Sequence, residues 1–378
     1  MKKLISTKIY NFDLQNTYSF GFFKNQNEWK KFIENSENGW IWHHPYFFNG
    51  LNKFSNCMHS GIIYAEIEEE VVGFLPFGVK ILDETSSQNK ISLGDWSIPY
   101  PVIKKKYYEI KKEIFSNLFK CLEENLVSKY NIAKLSACVL PQQTKIYKSS
   151  LNENPFLHIK NLIYKEEHTS VLNLTDELQE IKKKIRKSDY RFYKNNINNF
   201  FFEIKTGEEI LEDDYKQFIN LAELIGNQKE ALSSDHSIDE KNWIINLVKN
   251  KLGTLYKVLS QDKEKLYGAK VVLHMQNHAH DFRTLVDENF KKQNIGFALN
   301  MIALEDLKSK GVIYYELGPF SKYNSIFRIP SRKKINISDF KSGFTKNLMK
   351  LHLAEKYFDK SLAKKTLIDG IDNFVKEI

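Results

Sequence analysis

The amino-acid sequence predicts an α/β protein built from two similar halves, each a mixed sheet with helices against it. Three observations lead there. A β-rich pair of segments joined by a short polar turn occurs twice. Each pair is followed by a long amphipathic helix and then a strand. No Pro/Gly-rich or low-complexity linker separates the two, so the division shows as a weak internal repeat. In the first half the strands are 61–67 and 71–81, around a turn at 68–70; in the second they are 254–260 and 266–275, around a turn at 261–265. Each second strand has a glycine near its start, Gly73 and Gly268. The helices, 106–129 and 295–310, carry apolar residues at i, i+3 and i+4, and lead into strands 132–139 and 312–317. Residues 266–286 form a further hairpin, turning at Gln276 and Asn277 and returning along 280–286. The last run, 346–378, reads as helical. These elements divide the chain into domains 1–165 and 166–345 and a C-terminal helical segment, 346–378.

With 378 residues, 42% hydrophobic and 27% charged, the chain has ordinary globular usage, which excludes wholesale disorder. Its cysteines, Cys57, Cys121 and Cys138, are odd in number and widely spaced, against a disulfide scaffold or a CxxC zinc module; apolar neighbours place them in the core. Two lysines open the sequence with no apolar run behind them, so no signal peptide is expected. The longest apolar stretches, such as 71–79, fall far short of the ~20 residues of a membrane span. The expectation is a cytoplasmic protein, in solution or at the inner face of the membrane. The net charge of +9 fits plain solubility, or an anionic partner such as a nucleotide, tRNA or an acidic membrane surface. Of 56 basic residues only five are arginine: Arg186, Arg191, Arg283, Arg328 and Arg332. In a chain whose default cation is lysine, these mark positions where a planar, bidentate donor is wanted.

The second half contains an anion-binding pattern. Strand 280–286 feeds a polar, glycine-containing loop and then a helix N-terminus, where free N–H groups and the positive end of the helix dipole favour a negative ligand. Lys291 and Lys292 stand at its rim. Within it, Gln293-x-x-Gly296-x-Ala298 resembles the Q/R-x-x-G-x-G/A loop of GNAT-type N-acyltransferases. Thr169, Leu172 and Leu174 before Arg186-Lys187-Ser188 and Arg191, with a closing Phe340-Lys341-x-Gly343-Phe344, are similar to the FemAB-like, or BioF2-like, branch of that superfamily. The resemblance covers the second half well and the first in outline, through His43-His44-Pro45-Tyr46, the hairpin around Gly73 and residues 94–102. No heptad run stands where some members insert a coiled-coil arm.

The resemblance implies two tandem GNAT-like domains, each a mixed, mainly antiparallel sheet flanked by helices. It implies acyl-coenzyme A, with acetyl the expected acyl group, bound by Leu285, Val286, Lys292, Gln293, Asn294, Ile295, Gly296, Phe297 and Ala298. Backbone near Leu285 and Val286, at a strand bulge, would polarise the acyl carbonyl. Lys341 matches the lysine that aminoacyl-transferring members keep at the reaction centre. Acyl transfer to an amine also needs a proton acceptor and a proton donor. Glu316 and Asp281 are the strand carboxylates available as base, and Tyr314 and Tyr315 are candidate donors, one of which alternation turns into the core. His44, Tyr46, Asp95 and Tyr100 form a polar-aromatic wall suited to a sugar, and Arg186, Arg191 and Arg283 are candidate phosphate or carboxylate ligands. His274, His278 and His280 lack a fourth ligand at metal spacing, so no metal is expected.

Leu178, Ile181, Ile185 and Phe192 read as the apolar stripe of a helix whose other face holds Lys184, Lys187, Arg191 and Lys194. Three readings follow. The first is an acyltransferase taking an acyl group from coenzyme A to an amino sugar of a cell-surface glycan precursor, lipid- or nucleotide-linked. The second takes aminoacyl-tRNA as donor and a peptidoglycan precursor as acceptor. The third is a non-enzymatic binder of nucleic acid or membrane, which needs exposed aromatics along the basic stripe; a buried Phe192 argues against it.

Overall fold

Residues 5–12, 23–36, 38–83, 85, 87–139, 156, 162–228, 238–321 and 330–376 are described by the structure, a computed structural model. Arg328 lies outside them. The chain divides into two units, one drawn from Met1–Glu167, Tyr323–Pro330 and Lys350–Ile378, the other from His168–Lys322 and Ser331–Met349.

The first unit begins with strand β1 (Ser6–Phe12) and helices α1 (Gln26–Glu34) and α2 (Pro45–Phe54). Next come β2 (His59–Ile67), β3 (Glu70–Asp83), β4 (Gln88–Ser92) and two short strands, β5 (Ile98–Pro99) and β6 (Val102–Ile103). Helix α3 (Lys111–Leu126) crosses over to β7 (Ile132–Val139). Strands β1 to β4 pair antiparallel in sequence order, and β4 pairs parallel with β7. That crossover needs a helix with one apolar face, which Ile114, Phe115, Leu118, Phe119 and Leu122 supply. Gly73 admits the approach: a Cβ there would lie 3.0 Å from the Val102 carbonyl oxygen and 3.3 Å from Ile114.

The second unit contains the second half of β8 (Leu162–Asn173), then α4 (Leu178–Lys184), α5 (Lys187–Asn196), β9 (Phe201–Lys205), α6 (Glu212–Gln228) and α7 (Ile238–Lys249). It continues through β10 (Gly253–Leu259), β11 (Leu266–Met275), β12 (His278–Val286), α8 (Ile295–Ser309), β13 (Tyr314–Phe320) and α9 (Arg332–Ser342). Strands β9 to β12 are antiparallel neighbours, β12 and β13 are parallel, and β13 is antiparallel to β8. Leu172, Tyr256, Val272, Leu299, Tyr315 and Phe344 belong to one core under α8. Gly268 meets that helix directly, since a Cβ there would stand 2.6 Å from Ile295 Cγ2. Hairpin, strand, crossover helix and parallel strand thus recur in both units, in mixed and mainly antiparallel sheets flanked by helices. Among the described residues no helix is long and apolar enough to cross a membrane.

Two sequence expectations fail. Residues 346–378 are not helical throughout: they form strand β14 (Leu348–Tyr357), whose 352–357 stretch pairs antiparallel with β7, and only then helix α10 (Lys360–Lys376). The alternation in Leu348-Met-Lys-Leu-His-Leu-Ala is the strand signal that went unread. The basic segment is also not one helix. Ile185 is extended (ψ 149°), ending α4 and resetting the phase, so Tyr193 enters the core and Phe192 is 37% exposed.

Gly78 offers a test of the first unit's packing. Its missing Cβ would lie 2.4 Å from Asn52 Oδ1, which accepts the Gly94 N–H at 2.8 Å, while Asn52 Nδ2 donates to the Phe77 carbonyl at 3.2 Å. Gly78→Ala must displace this buried amide, so urea denaturation is expected to show a loss of about 2–3 kcal/mol.

Candidate active site

The site forms where two parallel strands part. β12 pairs with β13 over three residues, His278–Tyr314, Ala279–Tyr315 and His280–Glu316, and no further. Both strands bulge just beyond: β12 at Phe282, where Val272 faces Asp281 but Val271 faces Arg283, and β13 at Leu317, between Glu316 and Gly318. Each bulge sharpens the local twist, and together they splay the strands. From Asp281 on, β12 has no strand partner on its β13 side among the described residues. The bulge therefore lies at Phe282, earlier than expected. Leu285 and Val286 sit in regular ladder opposite Ala269 and Gly268.

Charged groups gather at the fork. Lys270 on β11 is fully buried and ion-paired with Asp281, which also accepts from Thr284 Oγ1 at 3.1 Å. Burial pushes the Lys270 ammonium down, against the pull of Asp281. Glu316 is buried at the last paired position. It accepts from Thr169 Oγ1 at 2.7 Å, and His280 Nδ1 lies 3.0 Å from its second oxygen. Lys341 reaches in from the last turn of α9, and its ammonium donates to the Pro319 carbonyl at 2.9 Å. Burial pushes it down to about 8, against the attraction of Asp281 and Glu316 and with Lys270 adding to the fall. Gly318 leaves space for this contact: its φ is +88°, and a Cβ there would stand 3.2 Å from the Lys341 ammonium.

The other end of the cleft is the start of α8. Asp287 takes the Asn289 N–H at 3.0 Å and opens a short 3-10 turn over Glu288–Gln293; Tyr267 stacks on Phe290 with ring centres 4.0 Å apart. Asn294 then adopts the left-handed conformation (φ 57°) and α8 begins without a side-chain cap. The N–H groups of Ile295 and Gly296, first in the helix, have no intrahelical acceptor. Ile295, Phe297 and Ala298 bury their side chains, leaving only backbone for a ligand, and Lys291 pairs with Glu288 while Lys292 is exposed. A Cβ on Gly296 would meet nothing closer than 3.9 Å. The packing against Phe340 and Val286 therefore does not itself demand glycine there.

Several sequence candidates have other work. Tyr315 is fully buried, donates to Asn300 Oδ1 at 3.2 Å and is held well above its ordinary pKa by burial; it is core, not a proton donor. His44 is buried against Trp29, its Nδ1 caps α2 by accepting the Tyr46 N–H at 3.1 Å, and burial pushes it down to about 3. Tyr100 packs on Phe115 in the same unit's aromatic core. These two leave the expected sugar wall; Tyr46 is half-exposed, and Asp95 is exposed and paired with Lys80. Arg283 is partly buried against Glu240 at 3.4 Å. Arg186 donates to the Asp339 carbonyl at 2.8 Å and pairs with Asp189, and its N–H bonds the Gly343 carbonyl at 2.7 Å, so it clamps the end of α9 that carries Lys341. Arg191 is exposed on α5. Sequence reasoning missed Lys270 and read His280 only as a metal candidate. The available signal was a lone charge inside the apolar strand Gly268-Ala-Lys-Val-Val-Leu.

No family model matches the sequence, and no curated protein does either. Solved structures match its fold. FemX aligns with a TM-score of 0.63 over 95% of this chain and 99% of its own, at 9% identity. L-PGS from Bacillus licheniformis aligns at 0.57, over 93% and 98%, at 10% identity. The C-terminal domain of a putative lysylphosphatidylglycerol synthetase from Agrobacterium fabrum aligns at 0.53, over 85% and 90%, at 12% identity. The chain shares the fold of these structures, as the sequence resemblance implied.

Because the Lys341 pKa is about 8 when folded against about 10.5 unfolded, the shift opposes folding below pH 8, and that penalty is relieved between about 8 and 10.5. A reaction that needs the cation should be flat below pH 8 and fall tenfold per unit above it. Lys341→Met is expected to lower kcat by about 100-fold or more with no loss of melting temperature, and Lys341→Arg to abolish the alkaline limb in a pH–rate profile.

Proposed function

We propose that the second unit is the donor site of an N-acyltransferase that moves an acyl group, acetyl first among candidates, from acyl-coenzyme A to an amine. We further propose an amino sugar of a cell-surface glycan precursor as acceptor. The observation that carries the reading is the parted pair β12/β13, with an uncapped helix start at one end and the Lys341–Glu316 group at the fork. Backbone N–H groups of Ile295 and Gly296, with Lys292 beside them, would hold the pyrophosphate, and the bound ligand supplies the activated carbonyl. The Lys341 ammonium, beside the stretch of β12 that no described strand pairs with on its β13 side, would stabilise negative charge growing on the carbonyl oxygen. Asp281 is engaged by Lys270, so Glu316, oriented by Thr169 and His280, is the carboxylate placed to take the amine proton.

A specific observation favours the aminoacyl-tRNA donor as second reading. Lys182, Lys183 and Lys184 are neutralised by Glu305, Glu180 and Asp176. Lys187, Arg191 and Lys194 remain exposed, with Phe192 exposed among them, which is the aromatic-and-cation surface that single-stranded nucleic acid stacks on. The same surface restores ground to a nucleic-acid-binding role, since the expected burial of Phe192 was the argument against it.

Calorimetric titration with acetyl-coenzyme A at two salt concentrations separates the readings. One site with micromolar affinity is expected, lost in Gly296→Asp, whose Cβ meets only ordinary contacts and whose charge repels the phosphates. Absence of binding at both salts overturns the coenzyme A reading and directs the search to charged tRNA.

A further inference from the structure

A row of lysines on the first unit's sheet has no part in the chemistry above. Lys80 on β3 stands opposite Lys90 on β4, and Lys90 opposite Lys134 on β7. Directly paired residues share a face, and strands lie about 4.8 Å apart, so three lysine stems line up across roughly 10 Å. The face is the one on which Gly78, two residues before Lys80, meets Asn52 of α2.

Like charges in direct register destabilise a sheet, and two of the three are answered. Lys80 pairs with Asp95, and Lys134 pairs with Glu355 at 2.7 Å. Glu355 also takes Lys165 at 2.7 Å and the Tyr357 hydroxyl at 2.8 Å. Lys90, between them and partly buried, has no carboxylate partner among the described residues. Burial lowers its pKa, with Asp95 opposing the fall and Lys80 and Lys134 adding to it. Of the three lysines in the row, Lys80 and Lys134 thus have carboxylate partners among the described residues, and Lys90 is the one left over.

We propose that this row binds a phosphoryl dianion, a phosphate monoester or a diphosphate, with Lys90 as its central ligand. Such an anion supplies Lys90 with the partner that no described residue gives it, between two lysines already in register with it. The inference does not rest on the donor-site reading.

The test is calorimetric titration of the full chain with inorganic pyrophosphate in a Gly296→Asp background, which removes the α8 helix end as a competing site. One-site binding is expected, weakened at least tenfold by Lys90→Met and kept within about threefold by Lys90→Arg. Sodium sulfate at matched ionic strength is the control for general screening. Uridine diphosphate and vesicles carrying phosphatidic acid, run in parallel, tell a soluble ligand from a lipid headgroup. Circular dichroism without ligand checks folding; should Lys90→Met unfold, Lys90→Gln replaces it. No pyrophosphate binding, equal binding in Lys90→Met and its parent, or an equal response to sulfate overturns the proposal.

Discussion

The second unit depends on one constraint: two parallel strands must stop pairing after three residues, inside a sheet. Strand backbone carries a donor and an acceptor at every residue, and leaving them unmatched in an interior is costly. The first unit meets the same geometry differently. There β4 pairs with β7 over Asn89–Ile91, and where it ends β5 takes over, Ile98 and Pro99 lying against Ala137 and Cys138. The chain fills its own fork. In the second unit no described strand does so. The two halves of the repeat therefore differ in whether a described strand closes the fork.

Parting the strands brings charge into the sheet. Lys270, Asp281, Glu316 and Lys341 have little access to water, and each is satisfied by a neighbour: Asp281 by Lys270 and Thr284, Glu316 by Thr169 and His280, Lys341 by the Pro319 carbonyl. Lys341 is the least compensated, since a neutral carbonyl is its direct partner and burial dominates its shift. A cation held in this way responds strongly to negative charge developing nearby, because little else screens it. The support reaches outward: Arg186 fastens the end of α9 through Asp339 and Gly343, which fixes where Lys341 can stand.

Much of the architecture was legible in the sequence because it rests on local periodicity. β7 begins and ends where the pattern placed it, as does β11, and the turn at Gln276 and Asn277 lies between β11 and β12. The fork was legible only by resemblance, and its bulge fell at Phe282, because a bulge is set by pairing between strands and leaves no periodic trace. Phase was the other failure. One extended residue, Ile185, exchanged the roles of Phe192 and Tyr193, and no pattern within the segment announces such a break.

The arginines show why rarity of a residue type is a weak guide to function. Arg186 and Arg283, singled out as ligands by their scarcity, are engaged with Asp339, Asp189 and Glu240. A guanidinium suits such clamps: it stays charged and makes several fixed hydrogen bonds at once. Three lysines stand out by their burial instead, Lys270 and Lys341 at the fork and Lys90 in the strand row. A lysine loses more on burial than an arginine and gives up its proton more readily. Burial without full compensation is therefore what separates a working lysine from a solubilising one, and it is a property of the fold that composition cannot carry.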